Sequence, residues 1–109
     1  MEQLTPSEPR FASSMSTDDQ GDTVLKLSGE LDMSSAGALR ESIEALIADG
    51  CRKVVFDLDE LSFMDSSGIA VLVFAANNIG DVRLINASSI IRRIIDATGL
   101  SAVLKLDQP

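Results

Sequence analysis

Apolar positions along the chain switch between a period of two and a period near 3.6, and each switch marks a new element. Leu25 and Leu27 alternate with Lys26 over residues 23–28, the pattern of a half-buried strand. Residues 11–16 form a weaker strand candidate, and Thr17-Asp18-Asp19-Gln20-Gly21-Asp22 between the two has the composition of a turn. After Gly29-Glu30-Leu31-Asp32 the period lengthens. Leu39, Ile43, Leu46 and Ile47 fall at i, i+4, i+7 and i+8, one face of a helix that Ser34 or Ser35 can cap and Gly50 can end. Residues 53–58, with Val54, Val55 and Phe56 in a row, predict a strand buried on both faces. Residues 66–78 are apolar all round from Ile69 to Ala76 and predict a helix buried on most sides. Val82, Leu84 and Ile85 give a fourth strand. Ile90, Ile91, Ile94 and Ile95 stripe a third helix between a Ser88 or Ser89 cap and Gly99, and residues 102–106 close as a fifth strand.

The order is ββαβαβαβ. Strands alternating with helices predict an α/β fold whose mixed, mainly parallel sheet has helices packed against it, with the opening hairpin as an antiparallel edge. Residues 1–9, with Pro6, Pro9 and few apolar side chains, are expected to be a mobile arm; residues 10–107 are expected to form one domain.

Composition narrows the chemistry. The net charge is −8, with 9 Lys and Arg against 17 Asp and Glu, so nucleic acid is not an expected partner. The chain has no histidine, which removes the commonest general base and metal ligand together. Cys51 is the only cysteine, so no disulfide can close within one chain, and no cofactor or metal is expected. No apolar run is long enough to span a bilayer and no leader pattern opens the chain, so the expected location is the cytoplasm, away from any membrane.

The segment that stands out is Phe63-Met64-Asp65-Ser66-Ser67-Gly68-Ile69, where a strand leads directly into the apolar helix. Hydroxyls there lie beside unpaired backbone N–H groups and the positive end of the helix dipole, which could hold a phosphate. Gly68, lacking a side chain, would let another protein approach Ser66 closely. The same residues also fit an ordinary helix cap. Ser66 as a hydrolytic nucleophile is disfavoured: no histidine is present to form a triad, and Lys26, Lys53 and Lys105 all read as strand positions. Nor does the segment have the spacing of a phosphate-binding loop.

Gly29-Glu30-Leu31-Asp32, residues 54–58, Phe63-Met64-Asp65-Ser66-Ser67-Gly68-Ile69 and Asp96-Ala97-Thr98-Gly99-Leu100 together resemble the signature blocks of the STAS domain, in particular of bacterial anti-sigma factor antagonists. The resemblance implies a non-enzymatic, partner-switching protein. Its unphosphorylated form would bind an anti-sigma factor that is a serine kinase of the histidine-kinase-like ATPase fold, releasing a sigma factor. Phosphorylation of Ser66 would end that binding, and a serine phosphatase would restore it. The implied partner-binding surface is Asp32, Asp65, Ser66, Ser67, Gly68 and Ile69. Two departures are visible: Asn77-Asn78-Ile79-Gly80-Asp81 is short and lacks basic residues, and Ala70 stands where Gly is frequent. Other roles open to the same fold are a subunit of a membrane lipid-transport ATPase complex and a scaffold subunit of a signalling assembly.

Overall fold

The computed structural model describes residues 10–106, so the expected arm at residues 1–9 and the expected domain end at 107 lie outside the described residues. Within it, β1 (Ala12–Thr17) and β2 (Thr23–Leu31) form an antiparallel hairpin. The Asp18 carboxylate closes the hairpin turn by accepting from the N–H groups of Gln20 and Asp22, both at 2.9 Å. Helix α1 (Ala36–Ala48) leads to β3 (Lys53–Met64), α2 (Ser66–Ile79) to β4 (Asp81–Ile85), and α3 (Ser89–Thr98) to β5 (Lys105–Leu106). The five strands lie in chain order, parallel from β2 to β5. The fold is thus the mixed, mainly parallel α/β sheet that the apolar periods predict.

One face of this sheet carries the core. Leu25, Leu27, Val54, Phe56, Val82 and Leu84 join Leu39 and Ile43 of α1, Leu72 of α2 and Ile91 and Ile95 of α3 in a single buried cluster. Val55 is outside that cluster although only 8% exposed. It points to the opposite face, where charged side chains surround it: Lys26 pairs with Glu60 at 3.4 Å and Lys53 with Asp22 at 2.9 Å, while Asp81 meets both Arg83 and Lys105. Residues 53–58 are nonetheless buried at Val54, Val55, Phe56 and Leu58 and half-buried at Lys53 and Asp57, as the apolar run predicts.

Strand β3 outruns the expected end at Leu58 by six residues. Its register with β2 slips twice, between Lys26 and Ser28 and again between Gly29 and Glu30, each time with one extra residue on β3. Inward positions consequently fall at Val54, Phe56, Leu58, Leu61 and Met64. Both irregularities are hydrogen-bonded: Asp57 Oδ1 accepts from the Asp59 N–H at 3.1 Å, and the Ser62 hydroxyl donates to the Gly29 carbonyl at 3.0 Å. Gly29 itself has φ +85°, and a Cβ there would run into the carbonyl oxygen of Arg10. Beyond Asp57, which pairs with Ile85, β3 has β2 as its strand partner and β4 has ended.

Two smaller expectations change. Ser35 is the N-cap residue of α1, but its hydroxyl accepts from no helix N–H and is turned back to the strand instead. The fifth strand is two residues long, because the chain turns over 101–104 to seat Leu104 in the core.

Candidate partner-docking site

Parallel strands β2 and β3 end side by side, Leu31 opposite Met64, and the N–H of Asp65 donates to the Leu31 carbonyl at 3.2 Å. Both chains then leave the sheet at the same edge, where open α/β sheets place their sites. Asp32, Met33, Ser34 and Asp65 line one shallow depression there. The proximity of Asp32 to the Ser66 segment is thus a direct result of strand register.

Each aspartate is held by its own turn. The Ser34 hydroxyl donates to the Asp32 carboxylate at 2.7 Å and, acting against a partial loss of hydration, holds its pKa below the usual carboxylate value. The Ser34 N–H at 3.0 Å pulls in the same direction. Asp65 is the N-cap of α2. Its carboxylate accepts from the N–H groups of Ser67 at 2.8 Å and Gly68 at 3.4 Å, and its carbonyl accepts from Ile69.

Ser66 begins α2 and is exposed. The donors expected to cradle a phosphate on it are already occupied: those of Ser67 and Gly68 bind the Asp65 carboxylate. The cap and the exposed serine therefore coexist, and the cap takes the helix donors. Ser67 is half-buried.

Gly68 and Ile69 are turned the other way. Ile69 is 6% exposed and belongs to the core cluster. A Cβ on Gly68 would lie 2.7 Å from Leu31 Cγ and 2.8 Å from Met64 Cγ. The expectation that Gly68 opens a path to Ser66 is corrected, since its missing side chain makes room for the core beneath. The side chain of Ile69 is likewise packed inside. The small residue beside Ser66 at the surface is Ala70, exposed one helical turn further along α2. It lies in the apolar run expected to be buried, and its outward phase is set by packing rather than by composition. Met33, 79% exposed in the depression, is a second residue that no motif singles out.

The STAS domain model matches residues 14–108. The chain is 33% identical over 92 residues to the anti-sigma-F factor antagonist RsfB of Mycobacterium tuberculosis, covering 82% of this chain and 75% of that protein. It is 31% identical over 88 residues to an anti-sigma-B factor antagonist of Staphylococcus aureus, covering 77% and 82%. Among solved structures, an anti-sigma factor antagonist from Mycobacterium paratuberculosis superposes with a TM-score of 0.83 at 29% identity, over 97% of this chain and 92% of that one. The Bacillus cell fate determinant SpoIIAA in its phosphorylated form superposes with a TM-score of 0.68 at 25% identity, over 89% and 92%. With the family match running from within β1 through β5 and a relative 33% identical over 82% of the chain, the chain belongs to the STAS domain family.

Proposed function

We propose that this chain is an anti-sigma factor antagonist that binds its anti-sigma factor through the edge around Asp32, Asp65 and Ser66, and that phosphorylation of Ser66 releases it. The anti-sigma factor is itself the serine kinase, of the histidine-kinase-like ATPase fold. A serine phosphatase returns the chain to its binding form. The role is binding rather than catalysis, and relatives named as antagonists of two anti-sigma factors support it. SpoIIAA, similar in fold, exists in a phosphorylated form.

The observation that carries the switch is the exposed Ser66 beside helix donors that Asp65 already occupies. A phosphate on Ser66 adds about −1.5 to −2 charges. In the free protein, water solvates that charge. In a complex it would be pressed between two surfaces beside Asp65 and Asp32, without those helix N–H groups to receive it. Each ~1.4 kcal/mol of that difference is a tenfold loss of affinity.

The test is to incubate the wild-type chain and three variants with ATP and each anti-sigma factor kinase of the source organism, then map phosphate by mass spectrometry and titrate binding. Ser66→Ala is expected to bind constitutively and take up no phosphate. Ser66→Asp should stay folded yet bind at least about tenfold more weakly. Ser67→Ala should still be phosphorylated at Ser66. Absence of phosphate on the wild-type chain, with full binding by Ser66→Asp, ends the switch.

A further inference from the structure

An exposed apolar side chain is ordinary taken singly. Among the described residues five large ones stand out, Met15, Met33, Phe63, Ile90 and Val103, and Met33 is the most exposed at 79%. Met33 alone among them lines the depression with Asp32, Ser34 and Asp65. Its backbone is held from both sides. The Ser35 hydroxyl accepts from the N–H of Asp32 at 2.9 Å, the Ser34 N–H donates to the Asp32 carboxylate, and the Asp32 carbonyl accepts from Ser35 and Ala36. A flexible apolar side chain is thus presented from a fixed turn between two carboxylates.

Resting on the function proposed above, we infer that Met33 is an affinity and specificity anchor, inserted into an apolar pocket of the anti-sigma factor that a basic side chain borders. Three features of the site point to that occupant. The patch is continuous with the surface around Ser66. Asp32 and Asp65 flank it with negative charge, so a complementary partner brings a cation to its rim. Methionine, unbranched and polarisable, adapts to a pocket, and the fixed turn lowers the ordering cost of inserting it. The carboxylates then act on encounter, while Met33 acts on residence.

Binding kinetics decide this, measured against the anti-sigma factor kinase that the wild-type chain binds, with Met33→Gln, Met33→Leu and Met15→Gln alongside. Burial of one methionine corresponds to a roughly ten- to hundredfold effect. Met33→Gln is expected to lose about that much affinity through faster dissociation, with association nearly unchanged and the melting temperature unaltered. Met33→Leu, of similar volume and polarity, should remain within about threefold of wild type. Met15→Gln, the same substitution at an exposed methionine on the edge strand, should bind like wild type. Wild-type affinity in Met33→Gln, or equal losses in Met33→Gln and Met15→Gln, overturns the anchor and leaves the Ser66 switch standing. Failure of the wild-type chain to bind any anti-sigma factor overturns the functional reading and the anchor together.

Discussion

The hydroxyl of Ser35 donates to the carbonyl of Glu30 at 2.9 Å, five residues back, and so ties the entrance of α1 to the last residues of β2. Ser35 is the one buried polar residue among those described, and it also accepts from the N–H of Asp32. Ser35→Ala leaves the N–H of Asp32 and the carbonyl of Glu30 without that partner. We expect a loss of about 1–3 kcal/mol, measured by urea denaturation. Partner affinity should fall as well, since the turn that carries Asp32 and Met33 loosens.

Gly68 and Ala70 separate stability from docking. Gly68→Leu drives bulk into Leu31 and Met64, and should cost at least about 1–3 kcal/mol or prevent folding, as overpacking does. Ala70→Leu adds similar bulk on the exposed face of the same helix, so denaturation should show little change while phosphorylation of Ser66 slows. The reverse pattern would mean that the helix phase described above is wrong.

The depressed pKa of Asp32 sets a pH dependence. A carboxyl whose folded pKa lies below its unfolded value contributes stability at pH above the unfolded value, about 3.9, and loses it as pH falls through the folded value. Asp32→Asn should therefore melt below wild type at pH 7, and the gap should narrow as the pH drops below about 4. Thermal melts at pH 7 and pH 3 check this; a gap that widens in acid would contradict it.

Gly29→Ala combines a positive φ with a collision against the Arg10 carbonyl, on a residue that sits between the two register slips. The expected cost exceeds about 1 kcal/mol. Amides of β1 should exchange with solvent faster relative to those of the core, because the collision pushes away the chain that enters β1.

Most of the fold is legible in the apolar periods, and the limits of that legibility have particular causes. Alternation predicts a third strand ending at Leu58, since beyond it the inward positions Leu61 and Met64 are spaced by three rather than two. A strand with two extra residues imitates the end of a strand. The Asp65–Gly68 segment is recognisable as the start of α2 because a polar, glycine-containing turn abuts an apolar run. Which of its residues face outward is decided by the phase at which α2 settles on α1 and the sheet, and a continuous apolar run carries no phase. Gly68 and Ala70 therefore exchange roles between expectation and structure. Met33 is a single apolar residue in a polar turn, and a single residue has no period to detect.

Past Asp57, where the Asn86 side chain donates to its carboxylate at 3.0 Å and β4 stops, β3 extends toward Asp65 with only β2 alongside. The serine-bearing start of α2 is in effect mounted on a cantilever, two strands wide, whose root is the five-stranded sheet. Load applied at the tip has a short route into β2 and the α1 entrance, and a longer one through α2, which packs against α1, β3 and β4. The rest of the domain serves as the mount that holds Asp65 and Ser66 out at the sheet edge.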